Sequence, residues 1–250
     1  MAHEQYLPSG YCHTPTAKDP RRGFGELVLH NLAAEPCQAV MTVYFAARPP
    51  AVLPPIPVKP ETNELVLMPD LAPEVFADCG FWGVRVTSNT PLMLNLINAV
   101  RIMPDPPKYR GGTTNWHGVK PSREWFFPDG LWLERSRIEE GEFGAAHFPH
   151  NEFEYYFYLN PNHEPAQVTM LLQYRHLEPV PVRLTVPGER VLVWENRGKV
   201  ARNEPYAVHV TSSLPVAANA CRYIYGLQGI EEWGQQVHHC IFGVPGPIAR

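Results

Sequence analysis

The sequence predicts an all-β chain of two tandem homologous antiparallel β-sandwich domains, jelly-roll-like in type. Three observations predict it. Proline supplies 28 of the 250 residues, about twice its usual ~5% share. Each proline removes a backbone donor and clashes with the preceding helical turn, which argues against a helical bundle or a regular βα array. Short apolar runs rich in β-branched and aromatic residues recur between Pro, Gly and Asn. The third observation is an internal repeat, which sets the architecture before any motif is considered.

Asn31, Glu35, Pro36, Gln38 and Met41 return as Asn160, Glu164, Pro165, Gln167 and Met170 at a constant offset of 129. Beyond Pro50, which faces Pro179, the match resumes at an offset of 124. There Val86, Thr87, Ser88, Pro91 and Asn95 face Val210, Thr211, Ser212, Pro215 and Asn219. The drop from 129 to 124 places extra residues of the first copy between Pro49 and Pro60, where a loop absorbs length cheaply. The expected boundaries are a first domain over 1–104, a linker over 105–122, a second domain over 123–228 and a C-terminal tail over 229–250.

In the first copy, strands are predicted at Glu26–His30, Ala39–Phe45, Glu64–Met68, Gly83–Thr87 and Leu92–Ile102. The second copy repeats them at Glu154–Leu159, Gln167–Tyr174, Arg183–Val186, Arg190–Glu195, Ala207–Ser212 and Val216–Tyr225. Alternation puts Met41, Val43 and Phe45 on one face, and Met170, Leu172 and Tyr174 on its equivalent, so these faces should be core. No amphipathic helix stands out. The stretch from Met103 to Ser122 reads as an irregular surface connector. The tail has no visible counterpart in the first copy, and either docks on the body or crosses to a partner.

The 21 Lys and Arg against 25 Asp and Glu leave a net charge of −4 without a basic block, which disfavours nucleic-acid binding. The N-terminus lacks the basic and apolar regions of a leader, and no apolar run approaches the about 18–20 residues of a membrane span, so a cytoplasmic chain without membrane insertion is expected. The five cysteines are an odd number, dispersed and without a CxxC pair, which favours reduced thiols.

The second copy opens with Trp125-Phe126-Phe127-Pro128-Asp129-Gly130. It continues to Arg183-Leu184-Thr185-Val186-Pro187, then takes a Ser212-to-Pro215 step into a strand ending at Arg222. In this order the motifs resemble the Anabaena sensory rhodopsin transducer family. The first copy follows more weakly through Tyr6-Leu7-Pro8-Ser9-Gly10, Asn31 and Ser88-Asn89-Thr90-Pro91, so the resemblance covers residues 5–102 and 124–225. It implies a small antiparallel β-sandwich that assembles as a cytoplasmic four-fold ring, in a superfamily thought to bind sugars or related metabolites. A duplicated chain would need two copies to build four domains, so a homo-oligomer is expected. The family's Gln-His-Thr-Arg segment stands here as Asn219-Ala220-Cys221-Arg222 and as Asn95-Leu96-Ile97-Asn98. Both copies lose the His, the first also loses the Arg, and nothing in the chain identifies a rhodopsin partner.

Asn95 and Asn219 sit in apolar strands, where a buried amide must find partners. Each either lines a polar pocket or ties its sheet to a loop. Arg222 suits a carboxylate or vicinal sugar hydroxyls, or else a surface or interface ion pair. Arg222 and Asn219 are an odd number of residues apart and should point to opposite faces of an unbroken strand. Arg85 and His209 are matched at the offset of 124 and form either a shared ligand surface or solvated positions. Trp125 belongs to an aromatic cluster that either stacks on a sugar or packs in the core. Asp129 reads most simply as a turn, and Asp129 and Glu154 complete the expected ligand-binding set. His147 and His150, with nearby carboxylates, are the metal candidate, and share an ion only if Pro149 bends the backbone. No P-loop, GxGxxG, GxSxG or HExxH is present. The expectation is a protein that binds a small polar, sugar-like metabolite, non-catalytic and requiring no cofactor. The alternatives are a metal-assisted enzyme acting on a carbohydrate-like substrate, with a divalent metal, and a protein-binding signalling scaffold.

Overall fold

The computed structural model describes residues 3–12, 21–77, 79–102, 108–109, 114–134, 150–226, 236–241 and 243–246. The chain is all-β. In its first half the strands are β1 (His3–Cys12), β2 (Arg21–Asn31), β3 (Cys37–Phe45), β4 (Ala51–Val52), β5 (Ile56–Val58) and β6 (Asn63–Leu67). Two short helices, α1 (Met68–Leu71) and α2 (Pro73–Phe76), lead to β7 (Gly80–Ser88), β8 (Leu92–Ile102), β9 (Lys108–Tyr109) and β10 (Thr114–His117). The second half holds β11 (Ser122–Gly130), β12 (Leu133–Glu134), β13 (His150–Asn160), β14 (Ala166–Tyr174) and β15 (Val180–Val186). It continues with β16 (Arg190–Glu195), β17 (Tyr206–Gly226), β18 (Gln236–Ile241) and β19 (Val244–Pro245).

In the first half, one sheet runs β1-β7-β3-β4 with β5 also on β3, and the other runs β10-β8-β2-β6 with β9 on β8. In the second half, β17 serves both layers. Its first part pairs with β11 and β14, and its second with β13 and β18. The antiparallel pairings of one half recur in the other: β1 on β7 and β11 on β17, β3 on β7 and β14 on β17, β2 on β8 and β13 on β17, β2 on β6 and β13 on β16.

Alternation explains the cores. Leu27, Leu29, Met41, Val43, Val84, Leu94 and Leu96 are buried between the sheets of the first half. Trp125, Phe127, Tyr156, Tyr158, Met170, Leu172, Val208 and Ala218 do the same in the second. Tyr174, predicted inward, is only half-buried at the end of β14.

The repeated asparagines act alike. Asn31 is fully buried and its amide donates to the carbonyls of Glu35 (2.7 Å) and Lys59 (3.1 Å), while its oxygen accepts from the Ala33 amide (3.0 Å). Asn160 donates to Glu164 (2.8 Å) and Pro187 (3.2 Å) and accepts from Asn162 (3.0 Å). Each asparagine therefore pins the end of its strand to the following turn and to a distant loop. These bonds satisfy backbone groups that would otherwise be buried without partners.

Several strand limits differ from expectation, and β1 and β11 were not predicted as strands. The stretches Ala207–Ser212 and Val216–Tyr225, predicted as separate strands, belong to the single strand β17. Pro215 is tolerated because the β11 register jumps there from Thr211 to Val216, so the corner needs no donor. The expected irregular connector ends in β10, which pairs with β8, and Val119 then bridges Tyr6. The tail docks on its own body: β18 pairs with β17 and β19 with β11. Those are the places that β10 and Val119 take in the first half.

The halves pack face on face. The outer side of the β1–β7–β3 sheet presents Tyr6, Tyr44, Phe81 and Gly83, and meets Phe157, Leu159, Val191 and Val193 of β13 and β16. Phe81 lies 5.6 Å from the rings of both Tyr155 and Phe157. A side chain at Gly83 would strike Leu159, so glycine there allows the two sheets to approach.

Candidate functional site

Strand β13 alternates sharply. Tyr155, Phe157 and Leu159 face the first half, whereas Glu154, Tyr156 and Tyr158 face the core of the second. Glu154 is therefore a carboxylate directed into a sandwich, with no exposed surface. Such a group is tolerated only with a full set of donors.

The donors come from four segments. Arg222 lies directly across the ladder from Glu154 on β17 and gives Oε1 two bonds, from Nη2 (2.9 Å) and Nε (3.1 Å). The Leu131 amide gives a third to Oε1 (2.8 Å). Oε2 accepts from the hydroxyls of Tyr206 (2.7 Å) and Tyr156 (2.9 Å) and from Asn196 Nδ2 (3.3 Å). Asn196 is itself fully buried: its oxygen accepts the Glu154 amide (2.8 Å), and its Nδ2 reaches the Tyr206 oxygen (2.9 Å) and the Leu131 carbonyl (3.0 Å). Tyr206 fits because it faces Gly130, where a Cβ would enter the phenol ring.

Arg222 carries this buried charge outward. Its Nη2 also donates to Asp129 Oδ1 at 2.9 Å. The Arg222 side chain is 13% exposed and that of Asp129 68%, so the chain of charges runs from the core to solvent. Burial pushes the Glu154 carboxyl up, and Arg222 and Tyr206 offset that shift only in part. Burial pulls the Arg222 guanidinium down, but Glu154 and Asp129 more than offset that, and its net shift is upward. Six donors around one carboxyl describe an ionised Glu154 bound to a cation. Burial, and then the neighbouring Glu154, hold the phenols of Tyr156 and Tyr206 protonated well above their ordinary range.

Of the residues singled out in the sequence, Arg222, Glu154 and Asp129 are brought together. Asn219 points to the opposite face, as its odd spacing from Arg222 requires, with its amide 3.5 Å from Ser9 Oγ of the first half. Asn95 is half-buried, and its buried Oδ1 has no hydrogen-bond partner among the described residues. Arg85 pairs with Glu4 (3.7 Å), and His209 pairs with Glu124 (2.7 Å) while stacking on Phe126 at 4.6 Å. These two pairs hold equivalent places on the outer sheet faces, away from Glu154. Trp125 is completely buried and its indole donates to the Val216 carbonyl at 3.0 Å. It is a core residue and offers no face to a ligand, because inward alternation on β11 sets it beside Phe127.

His147 lies outside the described residues, and His150 is described only as the first residue of β13, opposite Gly226. No group of three or more His, Cys, Asp or Glu that could hold a metal occurs among the described residues. Tyr206 and Asn196 went unnoticed in the sequence. Tyr206 aligns with Trp82 at the offset of 124, and a tyrosine facing a tryptophan across a repeat was the available signal.

No helix among the described residues is long and apolar enough to cross a membrane. No family model matches the chain, and no curated protein matches it. Several solved structures resemble parts of it, these two among them. The crystal structure of Thermotoga maritima 1070 is 18% identical, with 51% of this chain and 97% of that one covered and a TM-score of 0.41. The Anabaena sensory rhodopsin transducer is 23% identical, with 40% and 86% covered and a TM-score of 0.32.

Proposed function

We propose that the chain binds a small polar metabolite, of the sugar or sugar-acid class, where Arg222 and Asp129 reach the surface of the second half. One observation carries this reading: the buried Glu154 carboxylate holds an arginine beneath an exposed carboxylate. A buried ion pair adds little net stability, so the fold alone does not account for it. In this reading Glu154 fixes the guanidinium, Asp129 accepts from vicinal hydroxyls and Arg222 donates to a hydroxyl or a carboxylate. The activity is binding rather than catalysis, with no required cofactor, in a cytoplasmic setting. Thermal shift of the full chain against sugars and sugar acids tests it, since a ligand at ~100 times its Kd adds about 2.7 kcal/mol. A shift that disappears in Asp129→Ala is expected. The absence of any shift at millimolar concentrations would sink the reading.

The same proposal treats the chain as a tandem duplication that pairs with a second copy. The repeated strand pairings and the matched Asn31 and Asn160 networks support duplication. Tyr6 is 5% exposed beneath the second half, whereas Phe126, its equivalent on β11, is 40% exposed. Leu65, on β6 at the place Val193 holds on β16, is 57% exposed. A second copy set head to tail would cover both surfaces as the internal interface covers Tyr6 and Val193. Light scattering should give a dimer for the parent chain and a monomer for Phe126→Glu; an unchanged mass in the variant would refute the contact.

A further inference from the structure

Outside this site, the first half brings two thiols together. Cys12 is the last residue of β1 and pairs across the ladder with Gly80, so Cys79 is next to its direct partner. Cys12 is 4% exposed and Cys79 is half-buried, and each of the two thiols is close enough to bear on the other's ionisation. The Cys12 sulfur also accepts the Trp82 indole N–H at 3.3 Å. Gly80 adopts a left-handed φ of 64°, which turns the chain entering β7 back toward β1. Residues one register position apart on paired strands lie within the Cα separation that a disulfide spans, and the left-handed turn at Gly80 breaks the alternation that would otherwise send the two side chains to opposite faces.

We infer that Cys12 and Cys79 form a dithiol that closes to an intramolecular disulfide, clamping the end of β1 to the entry of β7. The oxidant is a small-molecule disulfide. Cys79, the more accessible thiol, loses its proton and attacks one sulfur of that disulfide, breaking its S–S bond. The first small thiolate leaves and takes up a proton. Cys12 then attacks the Cys79 sulfur of the mixed disulfide, expels the second thiolate and gives up its own proton to it. Two protein thiols are oxidised and one disulfide is reduced to two thiols.

The surroundings favour a slow clamp over a rapid exchange catalyst. The neighbouring Cys12 thiol, together with burial, pushes the Cys79 thiol up, with Arg48 opposing. Thiols of high pKa attack slowly and leave poorly, so the bond forms slowly and, once formed, resists reduction. The site is independent of the Arg222 cluster, and its fate does not bear on ligand binding.

The experiment equilibrates the full-length chain with oxidised glutathione, blocks remaining thiols and maps the peptides by mass spectrometry. The expected product links Cys12 to Cys79 with the loss of two hydrogens, and its Tm rises by about 5 °C or more, reversibly with dithiothreitol. Cys79→Ser, at the half-buried position, should abolish both the link and the oxidant-dependent rise. Recovery of Cys12 and Cys79 as separately blocked thiols after prolonged oxidation overturns the inference. So does a Tm rise that persists in Cys79→Ser.

Discussion

At one register position the two halves solve the same packing problem differently. Glu154 faces Arg222 in the second half, and Gly25 faces Asn98 in the first. Where Tyr206 and Asn196 complete the polar cluster, the first half has Trp82 and Met68, both fully buried. The Trp82 indole overlies Gly10 and Gly25, leaving no room for a Cβ at either, and packs edge-on against Phe76 at 5.3 Å. A single indole therefore fills the volume that the second half gives to a carboxylate and a phenol. The comparison teaches that strand pairing fixes where a layer lies but not whether it is polar. It also separates what the fold needs from what the second half adds.

The sharpest way to break the comparison is Arg222→Ala, which leaves the Glu154 carboxylate buried without its cation. It should cost about 3–5 kcal/mol in urea unfolding, whereas Arg222→Met with Glu154→Leu should recover most of that loss. A double variant as unstable as the single one would mean that the ion pair itself holds the half together. Next in size, Asn31→Ala and Asn160→Ala each strip partners from buried carbonyls, and each should cost about 2–3 kcal/mol. Unequal costs would show that the matched networks are not energetically equivalent. Tyr206→Phe removes one hydroxyl from Glu154 and an acceptor from Asn196, with an expected loss of about 1–2 kcal/mol.

The smallest effect at neutral pH appears only in alkali. Burial raises the phenols of Tyr6, Tyr44, Tyr156, Tyr158 and Tyr206 above their ordinary value of 10.0. Above that pH the folded chain binds more protons than the unfolded one. The stabilisation from these groups is complete below pH 10 and is lost as pH climbs beyond it. Tyrosinate absorbance from these residues should accordingly appear together with unfolding, and its earlier appearance in the native state would contradict their burial.

Much of this was legible in the chain. The limits of β8 and β16 follow directly from apolar runs ended by turn residues, and the offset of 129 picks out Asn31 and Asn160 without any structure. Strands β1 and β11 were visible only as motifs, because Pro8 and Gly10, and Pro128 and Gly130, interrupt their alternation. The site was legible one residue at a time but not as a cluster. Glu154 meets Arg222 from 68 positions away, Tyr206 from 52 and Asn196 from 42. The β13–β17 ladder closes the first distance and the β13–β16 ladder the last, while Tyr206 comes from the part of β17 that pairs with β11 and β14; no local pattern encodes these pairings. Trp125 shows the converse, since an aromatic residue looks the same in sequence whether it stacks on a sugar or lies in a core.

Strand β17 runs unbroken from Tyr206 to Gly226, while the first half divides the same path at Asn89, Thr90 and Pro91. A continuous strand shared by two sheets couples the opening of one layer to the other more closely than two strands joined by a turn. Amide exchange at Val208 and at Ala220 should therefore proceed through the same opening event, whereas β7 and β8 can exchange as separate units. Any occupant held at Arg222 would then slow solvent exchange as far away as His209, at the opposite end of the strand.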